Sequence, residues 1–423
     1  MHLFYILLAS SIITSYLYIK LYINKRYIFL KPSIAFCIFF NVFFQWPFVI
    51  CYDEISMLIS YTLLDIIIIF SFTPILILIV SPLTFNNSAI SIYNNIRHSM
   101  SFSIQFQCFL FAGTLIGAII YLYYVPFRDT GLMSILRGDD PYTIAVAREE
   151  SMKLLPLFVR YAHVFSTKAL CPLLVMTTMN EYLFEINKRN TSTALARIMF
   201  FMIFGIIFSS ISGARGPGAY IGVSMFAFFL FRNQIVLSAK FLKVSILLLI
   251  CILSIPIIID YLRSDTKDMI MTTNTIFRRI FFVPLQAGIY NVYFAEIYGY
   301  WGIGAVTSLA KLVGVDSISV ANEVYRLVYP SSISTGLINA SFMLTYYSYF
   351  GLISFPLCIV LVLLLDAIPW FTSKYIDPRL QCYSAAIYTA SLIALRSIDY
   401  TTYFISSGVI FSLATLFVLS KIK

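Results

Sequence analysis

Residues 197–231 read as two apolar runs, 197–212 and 218–231, joined by Ser212-Gly213-Ala214-Arg215-Gly216-Pro217-Gly218. The runs are fit for a bilayer, yet the turn between them carries a guanidinium. A charge at bilayer depth costs roughly 2.5–3.5 kcal/mol on insertion scales, so Arg215 needs water or an anion. Both runs are short for full spans, which predicts a deep hairpin with Arg215 at its tip. Glycines at 213, 216 and 218 let a backbone approach a ligand closely. A phosphate contact accounts for the arginine and the glycines together. The plainer alternative is a tight turn whose arginine snorkels to the interface.

Outward from this hairpin the chain is of the same kind. Its 423 residues are 60% hydrophobic and 11% charged, with a mean hydropathy of +0.88. Soluble domains carry about a quarter charged residues, so the composition predicts an all-α polytopic integral membrane protein. Runs of spanning length fall at 2–19, 33–51, 57–80, 102–125, 154–178, 197–212, 218–231, 244–262, 340–365, 380–396 and 400–419, about 11 transmembrane helices in one domain. Only Met1 and His2 precede the first run, which lacks the basic leader of a cleavable signal peptide.

Lysine and arginine set the expected orientation. One set of loops holds Lys20 to Lys31, Arg97, Lys188 to Arg197, Arg232 to Lys243, Lys374, Arg379 and the C-terminal lysines, 15 of the 29 basic residues. The short links opposite hold Arg215, Arg396 and the acids Asp53 and Glu54. The bias places the N-terminus outside and the C-terminus in the cytoplasm. The +10 net charge is thus largely topology and gives no reason to expect nucleic acid. The seven cysteines sit in or beside apolar runs, which argues against a disulfide framework or a thiolate-bound metal.

Two outward segments are long, 126–153 and 263–339. The larger contains an aromatic stretch from Phe277 to Tyr300 opened by Arg278 and Arg279, a pattern suited to a short surface or re-entrant helix. Substrate phosphate and lipid headgroups are both candidate partners for that arginine pair. In the fifth run Arg160, His163 and Lys168 fall within a sector of about 140°, and three basic groups on one stripe predict a wet, anion-attracting cavity. Arg396 and Asp399 lie three residues apart, as an ion pair or as site residues. Asp53-Glu54 is an outward acidic pair of a kind that can hold a metal, though no complete metal set is visible. No His-x-x-x-His, Cys-x-x-Cys or nucleophile elbow occurs, and histidine stands only at 2, 98 and 163. Without a Gly-rich phosphate loop for nucleotides, an outward-facing reaction calls for a substrate already activated on a lipid carrier. A polyprenyl pyrophosphate fits, because arginine forks bind its phosphates bidentately.

These features resemble the Wzy-type O-antigen polymerases, the group that includes enterobacterial common antigen polymerase. The local similarities are Ser212-Gly213-Ala214-Arg215, Phe277-Arg278, Ser334-Thr335-Gly336-Leu337, and Leu395-Arg396 with Asp399. One family pattern, an arginine followed by ten residues and then a glycine in the large loop, is not met: Arg278 to Gly288 and Arg326 to Gly336 each enclose nine. The resemblance implies a cofactor-free glycosyltransferase in the bacterial inner membrane that joins undecaprenyl-pyrophosphate-linked oligosaccharide repeat units on the periplasmic face, alongside a chain-length regulator. By that reading Arg215, Arg278 and Arg396 grip the donor pyrophosphate. Glu296, Asp399 or Glu323 serves as base, and Arg160, His163, Lys168, Arg279 and Arg326 help to bind substrate. The competing readings are the related O-antigen ligase, whose large-loop histidine is missing here, and a lipid-linked oligosaccharide flippase.

Overall fold

A computed structural model describes residues 2–421 apart from 57–60, 100, 140, 186–190, 213–215, 235–260, 262–267, 307–308, 311–312, 331–337, 339, 397 and 399. Among the described residues every regular element is a helix and there is no strand. The protein is an all-α polytopic membrane protein. Eight described helices are long and apolar enough to span: His2–Asn24, Pro32–Ile50, Leu63–Leu83, Ile104–Tyr124, Ser192–Ser209, Met269–Tyr298, Phe342–Tyr375 and Tyr400–Lys421.

The count departs from the eleven runs for specific reasons. The run at 154–178 is a continuous helix over 157–185, but Arg160, Lys168 and Glu181 dilute its apolar character. The run at 218–231 is the short apolar helix Gly218–Arg232, and that at 380–396 is Gln381–Ser391 followed by a 3-10 segment, Leu392–Arg396. The run at 244–262 lies almost wholly outside the described residues. The largest difference is in the segment expected to be an outward loop. There Met269–Tyr298 is a single 30-residue helix long and apolar enough to span, and its only charged residues, Arg278, Arg279 and Glu296, flank the uncharged stretch 280–295.

The chain divides into two compact units. The first comprises Met1–Ile90, Ser264–Trp370 and Leu392–Tyr403; the second, Ser91–Arg263, Phe371–Ser391 and Phe404–Lys423. In lipid, helices gain nothing from burying apolar surface against each other, so small residues and interior hydrogen bonds hold them together. In the first unit Asn41 donates to Gln45 Oε1 at 2.7 Å and Gln45 to the Ser71 carbonyl at 2.7 Å, while Ser10 and Ser71 hydroxyls meet at 3.1 Å. That network ties His2–Asn24, Pro32–Ile50 and Leu63–Leu83 together. A second buried cluster in this unit joins Lys31, Ser33, Ser81 and Asp366.

In the second unit Gly113 and Gly117 form a small-x-x-x-small face on Ile104–Tyr124. A Cβ at Gly117 would overlap the Ser166 hydroxyl, whereas one at Gly113 would stand 3.2 Å from the Leu170 methyl. Gly117→Val is therefore expected to force the pair apart and destabilise the protein by about 1–3 kcal/mol. Gly113→Ala needs only a small shift of a flexible side chain. Thermal unfolding in detergent checks this, and equal melting points for the two variants would refute the close packing at Gly117.

Three described π turns, Asn41–Gln45, Ser166–Leu170 and Arg278–Phe282, interrupt long helices. Such turns displace one residue from the regular ladder and recur at functional sites. Each seats polar groups that a regular apolar helix would exclude: Asn41 and Gln45, Lys168, and Arg278 with Arg279.

Candidate functional site

The first unit holds most of the residues singled out from sequence. Arg278 sits at the start of its π turn with its guanidinium over the Phe282 ring, 4.6 Å from the centroid. From there it forks onto Glu54, Nη1 donating to Oε1 at 3.2 Å and Nη2 to Oε2 at 2.9 Å. Both side chains are about half exposed, 48% and 49%. Glu54 lies with Asp53 in the first turn of the short helix Tyr52–Ser56. The acidic pair expected as a metal candidate thus places one carboxylate against a guanidinium, which disfavours a cation at Glu54. Arg279 is exposed beside Arg278.

Glu296 is not part of this arrangement. Eighteen residues of continuous helix separate it from Arg278, on the order of 25 Å at 1.5 Å per residue. That is most of a bilayer's hydrocarbon thickness. Along this helix Arg278 and Glu296 are thus not brought together. Glu296 instead accepts from the Tyr347 hydroxyl at 2.7 Å and the Tyr300 hydroxyl at 3.3 Å. Tyr300 packs against Gly351, where a Cβ would stand 2.9 Å from the ring and where φ is +62°. A glycine is required there by both space and backbone.

Arg326 pairs at 3.0 Å with Glu323 one turn away on Val320–Val328, so base candidate and substrate-binding candidate neutralise each other at the surface. Arg396 ends the segment Leu392–Arg396. Its neighbours Leu392, Ile393 and Leu395 line a small apolar cavity of ≈ 30 Å³ with Phe36, Phe40 and Leu285. Arg215, Asp399 and the Ser334–Leu337 motif lie outside the described residues.

The stripe of Arg160, His163 and Lys168 belongs to the second unit. Arg160 turns back to the start of its helix, donating to the Leu155 carbonyl at 2.9 Å and the Lys153 carbonyl at 3.3 Å. His163 is buried, its ring 4.7 Å from that of Tyr121 and edge-on to Phe208, and its Nδ1 has no partner. Lys168, on the π turn, points at Tyr220 with Nζ 4.7 Å from the ring centroid.

Charges of the 126–153 segment are paired within it: Arg137 with Asp139 at 3.1 Å and Lys153 with Glu149 at 2.7 Å. Its helix Gly131–Arg137 is tied to the turn that follows Thr191–Ser209 by Leu132 N–H donating to the Ile211 carbonyl at 3.1 Å. A largely apolar cavity of ≈ 330 Å³ also opens in this unit, lined by Phe109, Gly113, Gly117, Phe165, Leu170 and Leu419 among others. Comparison with family models, curated proteins and solved structures finds no match for this chain.

Proposed function

We propose that this chain is a membrane glycosyltransferase, an O-antigen polymerase that joins undecaprenyl-pyrophosphate-linked oligosaccharide repeat units on the periplasmic face of the bacterial inner membrane. The observation that carries the reading is the exposed fork between Arg278 and Glu54. A diphosphate offers the same planar pair of acceptor oxygens as a carboxylate, with more charge. An arriving donor competes for Arg278 and releases Glu54 beside the reacting sugar. The charge bias of the loops puts Asp53-Glu54 on the outward side, where lipid-linked repeat units are polymerised.

The chemistry then needs one bond made and one broken. The acceptor hydroxyl oxygen attacks the anomeric carbon of the growing glycan. The bond from that carbon to the phosphate oxygen breaks, its electron pair leaving with undecaprenyl pyrophosphate. Glu54 takes the hydroxyl proton, and Arg278 neutralises the departing diphosphate. This moves the role of base from Glu296 to Glu54, which stands next to the arginine instead of a helix length away. By the family resemblance Arg215 and Arg396 add to the diphosphate grip, and a chain-length regulator is the expected partner.

The second reading is a non-enzymatic flippase, favoured by the cationic Lys168 deep in the second unit. Deleting the gene in its own cell separates the classes. The polymerase reading expects lipopolysaccharide with a single repeat unit on lipid A core. Loss of every repeat unit would point to a ligase, and accumulation of lipid-linked substrate on the inner face to a flippase. Either result would overturn the proposal.

A further inference from the structure

Lys168 lies eleven residues into the helix that begins at Leu157, about 16 Å along its axis. Among the described residues its ammonium makes no ion pair and no hydrogen bond, although the side chain is not fully enclosed. A lysine at bilayer depth without an anion is costly and marks a ligand or ion pathway far more often than a structural role. Its surroundings are built around it. The π turn frees the Lys168 carbonyl, which accepts from the Ser412 hydroxyl at 3.3 Å. The break between Tyr400–Ser406 and Val409–Lys421 falls at Gly408, with φ +79°, where a Cβ would overlap that of Lys168. The lysine is therefore held by two interrupted helices, an arrangement that recurs where membrane proteins bind ions and charged substrates.

The group facing the ammonium also lacks a partner. Tyr220 is buried, with a relative exposure of 4%, and its hydroxyl has only the Ser224 side chain beside it, outside ordinary hydrogen-bond geometry. Its ring engages the lysine through its face, which leaves the O–H free to donate. Tyr220 belongs to the first turns of the 17-residue helix Gly216–Arg232, whose N-terminal end favours negative charge. A cation, an unused hydroxyl donor and a helix N-terminus all ask for one chemistry.

We propose that Lys168 and the Tyr220 hydroxyl form an oxyanion site inside the second unit that binds a phosphate group. The site is independent of Arg278 and Glu54, and it serves a transferase or a flippase alike. Its phosphate belongs either to a lipid headgroup or to a free anion. The full chain in phosphatidylcholine nanodiscs, titrated with an isoprenyl monophosphate and separately with inorganic pyrophosphate, tests the site by ³¹P line broadening. Binding of the first alone identifies a lipid headgroup, and binding of the second alone a free anion. Lys168→Met is expected to weaken binding by at least about tenfold and Tyr220→Phe by about threefold, while Lys168→Arg stays near wild type. Lys374→Met, far along the chain, changes nothing.

Should Lys168→Met fail to fold, the wild-type protein supplies the second measurement. Acylation of Lys168 by an amine reagent, followed by mass spectrometry, is expected to slow when phosphate ligand is present. Unaltered binding in a folded Lys168→Met protein, no binding of either probe to wild type, or no protection overturns the site. Because neither probe carries sugar, a failed polymerase reading leaves these results untouched.

Discussion

Lys31→Met is expected to destabilise the protein by about 3–5 kcal/mol, the usual consequence of stripping one partner from a buried ion pair. Lys31 and Asp366 are both fully buried, Nζ to Oδ2 at 3.4 Å. The ammonium also donates to the carbonyls of Ser81 and Thr84. Asp366 accepts from the Ser33 N–H at 3.0 Å, the Ser33 hydroxyl at 2.7 Å and the Ser81 hydroxyl at 3.2 Å. The carboxylate thus caps the first turn of the helix starting at Pro32 and joins it to the end of Leu63–Leu83. Asp366→Leu alone strands the lysine and is expected to cost as much. The double variant Lys31→Met with Asp366→Leu removes both charges and leaves Ser33 and Ser81 to bond each other, already at 2.6 Å. It is expected to recover at least about 1–3 kcal/mol relative to the summed single costs. Thermal or denaturant unfolding in detergent measures all three, and simple additivity would show that the two charges do not stabilise each other.

The same cluster shows what the sequence yields and what it withholds. Helical membrane architecture follows from apolar runs alone, because a bilayer admits little else, and most run positions agree with described helices. Asp366 follows Leu361-Val362-Leu363-Leu364-Leu365 just past the run ending at 365, and nothing local in the sequence pairs it with Lys31, more than three hundred residues earlier. The Gly113-x-x-x-Gly117 face came from the structure, which sets Ser166 against Gly117. The aromatic stretch after Arg278 and Arg279 was expected as a short surface or re-entrant helix, and it lies within the 30-residue helix Met269–Tyr298, with the two arginines about a third of the way along. The stripe through Arg160, His163 and Lys168 was legible from spacing, whereas the π turn at Ser166–Leu170 was not, because no periodicity in side-chain type announces such a turn. Arg278 was expected at the site from its place ahead of an aromatic stretch, and the structure sets it against Glu54. Asp53-Glu54 was read as a possible metal pair, because sequence cannot say which cation a carboxylate will meet.

Arg278→Ala is expected to abolish long-chain polysaccharide while single-repeat lipopolysaccharide persists, a loss of roughly 10²–10³ in polymerising rate for one charge-stabilising donor. Glu54→Gln keeps the shape of the fork but removes the base, with an expected loss of roughly 10²–10⁴. Ladder length in a gel and repeat-unit transfer by purified protein provide the two readouts. The bland explanation is that the fork merely steadies the surface. An exposed pair contributes only about 0–1 kcal/mol, too little to account for such losses through folding. The exchange Arg278→Glu with Glu54→Arg discriminates further. It restores an ion pair of the same two groups, so a structural role predicts recovery. The proposed chemistry predicts none, because the guanidinium no longer meets the leaving diphosphate from the π turn and the carboxylate no longer faces the acceptor. Glu296→Gln completes the set. A helix length away from Arg278, it is expected to leave ladder length unchanged, and a loss equal to that of Glu54→Gln would return the base to Glu296 and remove Glu54 from the mechanism.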